Sequence, residues 1–167
     1  DLDITLSDMS EGMLRDAKRN IDSAHSLFHY QAFDCHEIPY ADNTFDLIIA
    51  NHVLFYCQDI TTVCQEVSRV LKPNGRFICS TYGAKHMQEI TQLVQQFDKH
   101  IVLSADILYE NFGLENGDAI LKHFFTSIEK QTYEDEIVID VAEPLIEYIL
   151  SCHGNQNKHL MDRYADF

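Results

Sequence analysis

Asn43-Thr44-Phe45-Asp46-Leu47-Ile48-Ile49-Ala50-Asn51 carries an unbroken apolar run, Leu47 to Ala50, β-branched at Ile48 and Ile49 and bounded by polar residues. Such a run predicts a short strand buried on both faces, as a parallel sheet covered by helices requires. Asn51 then stands at the carboxyl end of a central strand. Ligands of open α/β sheets sit in the crevice outside those ends, so Asn51, His52 and the turn after them are the first place to look for chemistry.

Upstream of this strand, Leu2, Ile4 and Leu6 alternate with polar residues and lead to Ser7-Asp8, which predicts a strand finishing in a carboxylate. Ser10 can cap a helix carrying Met13, Leu14, Ala17 and Ile21, with Glu11 at the positive end of its dipole. Leu27 to Ala32 reads as a second strand, followed by the turn Phe33-Asp34-Cys35-His36.

Downstream, Asp59 is a good N-cap, and Ile60, Val63, Cys64, Val67, Val70 and Leu71 form one apolar stripe on a helix. Lys72-Pro73-Asn74-Gly75 stops it, with Gly75 expected in the turn. Arg76 to Thr81 is the next buried strand, ending at Tyr82-Gly83, and Met87, Ile90, Leu93, Val94 and Phe97 outline a further helix. Strands alternating with helices predict parallel pairing through right-handed crossovers.

After about residue 100 the pattern loosens. Asn111 to Phe125 reads as a loop holding a short helix from Asp118 to Phe124. Ser127 to Ile139 contains two β-rich pieces around Glu134-Asp135-Glu136, read as a solvated turn. Asp140 and Glu143 form a capping box opening a helix to about Cys152. The tail from Asn155 holds one more helix through Leu160, Met161 and Tyr164.

Composition narrows the function. The chain of 167 residues, 46% apolar and 11% aromatic, has the length of one globular domain. It contains no apolar run near the roughly 20 residues a membrane helix needs, and its start lacks a signal-peptide pattern, so a cytoplasmic protein without a membrane partner is expected. The formal charge of −15, from 12 basic and 27 acidic side chains, repels phosphate backbones and argues against nucleic acid as a partner. Five cysteines, Cys35, Cys57, Cys64, Cys79 and Cys152, form no C-x-x-C pair and read as small apolar residues in a reducing compartment. His25 and His29 have the spacing of metal ligands but no third ligand in sequence, and no metal is expected.

Three segments stand in a fixed order. Ser7-Asp8-Met9-Ser10-Glu11-Gly12-Met13-Leu14 resembles the "D-x-S-x-x-M-L" segment after the second strand of class I S-adenosylmethionine-dependent methyltransferases. Asp34, then Ile38-Pro39-Tyr40 and Asp42-Asn43-Thr44-Phe45-Asp46, resembles their "D-x-x-x-L-P-F-x-D-x-x-F-D" stretch. Val67-Ser68-Arg69-Val70-Leu71-Lys72-Pro73-Asn74-Gly75-Arg76 resembles their "E-x-x-R-V-L-K-P-G-G". The match spans about residues 4 to 82.

The resemblance implies an α/β, Rossmann-like fold with a mainly parallel sheet and helices on both faces, incomplete at both ends. Residues 1–167 would be one partial methyltransferase-like domain, with 100–126 a lid insertion. It implies S-adenosyl-L-methionine as cofactor, held by Asp8, Met9, Asp34, Cys35, Asn51 and His52. Asp8 would accept from the ribose hydroxyls, Asp34 from the adenine amino group, and the Cys35 amide would meet the ring, with Asn51 and His52 beside the methionine portion. Methyl transfer is an in-line displacement dominated by alignment, so no strictly placed base is required and no catalytic residue is assigned.

The family's glycine-rich loop has no counterpart, because the six glycines never fall at G-x-G spacing. In the family's strand order 3-2-1-4-5-7-6, strands one and seven would be the absent ones. The resemblance therefore implies a middle piece of a longer enzyme whose open edges call for a cover, expected to be a second copy of the chain.

Blander roles stand beside these. Asp8 can simply start the following helix, Asp34 can be a turn residue, and His52, Tyr56, Tyr82 and His86 can be packing residues at strand ends. The expected function is methyl transfer to a small-molecule acceptor. The alternative is a methyltransferase-like interaction module without donor binding. A nicotinamide-dependent dehydrogenase would also place an acid after its second strand, but Asp34 and Lys72-Pro73-Asn74-Gly75 argue against it.

Overall fold

The computed structural model describes residues 2–21, 27–104, 106–163 and 166. The chain clusters into two compact units, Asp1–Ala50 with Cys57–Cys79, and Asn51–Tyr56 with Ser80–Phe167.

In the first unit β1 (Asp3–Asp8) and β2 (Leu27–Ala32) pair in parallel, with Ile4 opposite Phe28 and Asp8 opposite Ala32. Between them in sequence lies α1 (Glu11–Asn20). Its start follows from Ser10, whose extended backbone leaves its hydroxyl to accept the Met13 N–H at 3.3 Å. Glu11 in the first turn and Lys18 and Arg19 in the last complement the helix dipole.

β3 (Phe45–Asn51) pairs with β4 (Leu71–Ser80) in a second two-stranded sheet. At one end the N–H groups of Asn43 and Thr44 donate to the carbonyls of Arg69 and Val70, and at the other that of His52 donates to Ser80. The two strands therefore run parallel, and the β4 side holds two more residues between these limits. Lys72-Pro73-Asn74-Gly75 supplies the slack. The left-handed φ of 68° falls on Asn74 and not on Gly75, contrary to the expected turn. Gly75 serves close approach instead, since a Cβ there would lie 2.9 Å from the Lys72 carbonyl oxygen. β4 accordingly starts at Leu71 rather than Arg76.

Between β3 and β4 runs α2 (Ile60–Val70), which buries Val63, Cys64, Val67 and Val70 along the expected stripe. Asp59 caps it, one carboxylate oxygen accepting the Thr62 N–H at 3.1 Å and the other the Thr62 hydroxyl at 2.7 Å.

Among the described residues β1 pairs with β2 and β3 with β4, and no ladder joins the two sheets. This corrects the burial expected of β3: Leu47 is 46% and Ile49 56% exposed. A strand rich in apolar residues is buried on both faces only where neighbouring strands and helices extend the sheet, and a two-stranded ribbon offers little such cover.

In the second unit α3 (Gln88–Phe97), α5 (Ala142–Ser151) and α6 (Gln156–Leu160) contribute Val94, Ile149 and Leu160 to a core that also contains Ile101. Ile90, Phe97 and Leu145 pack against it. Asn155 fastens the connecting segments: its side chain accepts from the Val102 N–H at 2.7 Å and donates to the His100 carbonyl at 2.9 Å. Gly154 lies so close to this junction that a Cβ would fall 1.7 Å from the Val102 carbonyl oxygen.

Other expectations are corrected here. The short helix is α4 (Gly117–Leu121), not Asp118 to Phe124. The β-rich pieces of Ser127 to Ile139 form no strands, because no described strand offers them a ladder. The Asp140 and Glu143 capping box is not made: Val141 occupies the N-cap position of α5 without a side-chain bond, which puts Asp140 one residue too early. After α6 a 3-10 turn covers Met161–Arg163, and Tyr164 lies outside the described residues. Among the described residues no helix is long and apolar enough to cross a membrane.

Candidate cofactor site

The β1–β2 register decides what stands together in the first unit. Asp8, the last residue of β1, is opposite Ala32, the last of β2, so the turn that begins two residues later with Asp34 leaves the same end of the sheet. Two carboxylates thus share one sheet end. Asp8 is exposed, and its Oδ1 accepts the Ser10 N–H at 2.7 Å. That bond gives Asp8 the helix-starting role, and its exposed carboxylate keeps acceptor capacity toward solvent. Met9 beside it is 70% exposed.

Asp34 organises its turn through one oxygen. Its Oδ1 accepts the His36 N–H at 2.9 Å and lies 2.6 Å from His36 Nδ1. These two bonds, the backbone one first, hold its carboxyl below the usual carboxylate range. The same contact raises His36 and favours its charged form. In the neutral tautomer that donates from Nδ1 to Asp34, the far ring nitrogen, Nε2, accepts the Asp59 N–H at 3.4 Å, which ties the turn to the start of α2.

Cys35 is half-buried, and its sulfur lies 3.6 Å from that of buried Cys57. Hydrogen bonding from Cys57, aided by His36, brings the Cys35 thiol down to about 7. The bond and burial push Cys57 up. Asp34, Cys35 and His36 offer one ligand atom each, all within 4.8 Å of one another.

A clamp behind this turn was written in the sequence only as a motif string. Arg69 Nε and Nη2 donate to Glu66 Oε1 and Oε2, each at 2.7 Å. Its Nη2 also reaches the Ile38 carbonyl at 2.9 Å, and its Nη1 the Tyr40 carbonyl at 2.7 Å and Asp42 at 2.9 Å. Glu66 Oε2 in turn accepts the Ile38 N–H at 2.9 Å. The 38–42 loop is therefore gripped at side chain and backbone by two residues of α2, which physically joins two of the three recognised segments.

Asn51 and His52 belong to the second unit. Asn51 Oδ1 accepts from the Ser80 hydroxyl at 3.4 Å, and the His52 N–H is shared between the Ser80 carbonyl and hydroxyl, both at 3.2 Å. His52 adopts a left-handed φ of 51°. Its ring stands 6.5 Å from Tyr82, nearly parallel, and 6.0 Å from Phe55, while Tyr82 stands 4.6 Å from His86. Burial, with His52 nearby, lowers His86, and burial raises Tyr82. Thr81 donates to the Phe112 carbonyl at 2.6 Å, the Leu114 N–H to Tyr82, and the Ala84 N–H to Glu115 at 3.0 Å, which ties residues 112–115 to the exit of β4.

Elsewhere in this unit a cavity of about 430 Å³ is lined by Met87, Ile90, Ile139, Val141, Leu145 and Tyr148, an almost wholly apolar set. His25 lies outside the described residues, and His29 faces Asp3 at 3.1 Å.

Nothing in the sequence pointed to Cys57 as a neighbour of the Asp34 turn. The pairing of Cys35 with Cys57 across 22 positions carries no spacing signal at all. Glu66 and Arg69 left a trace as an i, i+3 pair of opposite charge on a helix.

Comparison with known proteins bears on this arrangement. Residues 2–79 match the family described as methyltransferase domain. The chain is 38% identical over 76 residues to the ubiquinone/menaquinone biosynthesis C-methyltransferase UbiE of Desulfotalea psychrophila, covering 46% of this chain and 30% of that protein. It is 33% identical over 95 residues to the malonyl-[acyl-carrier protein] O-methyltransferase of Serratia marcescens, covering 57% and 36%. A third relative, the biotin biosynthesis bifunctional protein BioHC of Saccharophagus degradans, is 32% identical over 96 residues, covering 58% and 17%. The chain spans less than half the length of each of these relatives. Among solved structures, a Pyrococcus horikoshii OT3 protein superposes with a TM-score of 0.56 at 22% identity, covering 72% of this chain and 61% of that one. A Bacillus halodurans C-125 protein superposes with 0.51 at 15%, covering 73% and 52%. Both share the fold.

Proposed function

We propose that this chain, whose residues 2–79 match the methyltransferase domain family, is a class I S-adenosylmethionine-dependent methyltransferase, and that its β1–β2 sheet end holds the nucleoside of S-adenosyl-L-methionine for methyl transfer to a small-molecule acceptor. The observation that carries this reading is the pair of carboxylates at one sheet end, Asp8 at the last residue of β1 and Asp34 two residues past the last of β2.

The chemistry of this donor set fits the group. Asp8 is an exposed carboxylate and a natural acceptor for vicinal ribose hydroxyls. Asp34 stays ionised and is oriented by His36 through a single oxygen, so it suits an exocyclic amino donor. Met9 flanks them with exposed apolar surface and Cys35 with a half-buried thiol. Asn51 and His52 are assigned to the methionine portion by resemblance. The cofactor supplies an activated methyl group on a sulfonium; the chain's task is to bind, orient and exclude water, with residues 100–126 serving as the lid.

The acceptor is proposed to be small and not a nucleic acid, in keeping with the charge of −15 and with an apolar cavity of about 430 Å³ in the second unit. A cytoplasmic setting is part of the reading, supported by five cysteines that form no C-x-x-C pair in the sequence. So is a homodimer, in which a second copy covers the edges of the two separate sheets.

Equilibrium binding of S-adenosylhomocysteine to the protein tests the reading. Saturable one-to-one binding supports it. A folded protein that binds none would instead favour an interaction module that keeps the fold without the donor.

A further inference from the structure

Cys35 and Cys57 are 22 positions apart in sequence, yet their sulfurs stand 3.6 Å from each other in the first unit. A disulfide needs about 2.05 Å, so closing the bond asks for a movement of roughly 1.5 Å. Both sulfurs sit on turns rather than in regular elements: Cys35 in the turn after β2, Cys57 just before the Asp59 cap of α2. Turns absorb such a shift without breaking a ladder.

The two thiols are also chemically unequal. Cys35 is half-buried and lies beside the His36 ring, and its thiol is held near 7. Cys57 is only 7% exposed and is pushed up. Cys64 is fully buried and pushed up to about 11, and burial likewise raises Cys79 and Cys152. The more accessible sulfur, on Cys35, thus faces a sheltered one, on Cys57. An accessible thiolate attacks, and a sheltered thiol beside it resolves.

We propose that Cys35 and Cys57 form a reversible dithiol–disulfide pair oxidised by hydroperoxides, with Cys35 as the attacking sulfur and Cys57 as the resolving one. In the first step the Cys35 thiolate attacks one oxygen of the hydroperoxide, the O–O bond breaks, and the departing hydroxide takes up the proton Cys35 had released. This leaves a sulfenic acid on Cys35. In the second step the Cys57 sulfur attacks the Cys35 sulfur, the S–O bond breaks, and the hydroxide leaves as water with the Cys57 proton. Two thiols and one hydrogen peroxide become one disulfide and two waters, and a dithiol reductant reverses the exchange.

The bridge would fasten the Asp34-Cys35-His36 turn to the start of α2, where His36 already accepts the Asp59 N–H. Its consequence for nucleoside binding rests on the function proposed above. The bridge itself does not.

The test exposes the protein to one equivalent of hydrogen peroxide, alkylates remaining thiols, and cleaves before aspartate without reduction. That cleavage places Cys35 in residues 34–41, Cys57 in 46–58, and Cys64 with Cys79 in 59–97. The expected result is loss of two thiols per chain and a mass for 34–41 joined to 46–58, abolished by dithiothreitol. C57S should stop at a sulfenic acid on Cys35 that dimedone traps, and C35S should lose at least tenfold in its rate of thiol loss, both with wild-type circular dichroism. Unmodified Cys35 in folded, oxidised protein would overturn the proposal, as would bridges to Cys64, Cys79 or Cys152. A bound zinc ion shielding both thiols would overturn it too, in favour of a metal site. S-adenosylhomocysteine affinity before and after oxidation is a separate readout: a bridge that forms with affinity unchanged bears against the adenine placement and not against the bridge.

Discussion

Arg69 and Glu66 meet through two parallel hydrogen bonds of 2.7 Å, and Glu66 simultaneously accepts the Ile38 N–H while Arg69 donates to the Ile38 carbonyl. One charged pair on α2 thus satisfies both backbone groups of a loop residue. Such a fork needs a planar guanidinium. Lysine offers one ammonium and cannot span Glu66 and two carbonyls at once. R69K should therefore lose most of what R69A loses. We expect both to lower the thermal midpoint by about 3 to 8 °C, read by circular dichroism. A lysine variant indistinguishable from wild type would show that charge alone suffices.

The same pair sets a pH dependence. Bonding to Arg69 lowers Glu66 below its ordinary value of 4.5. A carboxyl whose folded value is depressed contributes stability that is fully present above the unfolded value and is lost as pH falls through the folded one. The contribution of Glu66 to the thermal midpoint should thus be level above about pH 5 and decline below 4.5. In E66Q this part of the decline should be missing and the midpoint near pH 7 lower than in wild type. An unchanged slope between pH 5 and 3 in that variant would remove Glu66 from the account.

Gly154 carries a sharper steric demand. With a Cβ 1.7 Å from the Val102 carbonyl oxygen, G154A must displace the junction where Asn155 bonds to Val102 and His100. We expect a loss of about 1 to 3 kcal/mol in denaturant unfolding. A neutral substitution would mean that this junction does not hold the second unit together.

Sequence made local structure legible where the signal is local. Ser10 and Asp59 mark their helices because a cap is a short-range hydrogen bond, and β3 was bounded correctly because its apolar run ends at Asn51. What depends on partners was not legible. Residues 127–139 have the side chains of strands but no described ladder to join, and Ile49 has the side chain of a core residue but a strand with little cover. The left-handed position went to Asn74 because two residues of slack on the β4 side place it there, a matter of register. At the site, Asp8 and Asp34 could be read from their positions at strand ends. Cys57 could not, because only tertiary packing brings it to Cys35.

The two separate sheets lead to a statement about assembly. Ribbons of two strands with residues such as Ile49 and Leu27 more than half exposed need further cover. Sedimentation should find a dimer. A monodisperse species near 19.3 kDa would exclude it.

The central claim is that Asp8 and Asp34 hold a nucleoside at the β1–β2 sheet end. Calorimetric titration with S-adenosylhomocysteine, run in parallel on wild type, D8A and D34A, tests it most directly. The account predicts a single saturable site in wild type, weakened about 10- to 150-fold in D8A, the range for lost hydrogen bonds to a charged group, and weakened also in D34A, with circular dichroism unchanged in both. Equal affinity in all three proteins, or no binding by folded wild type, would contradict it.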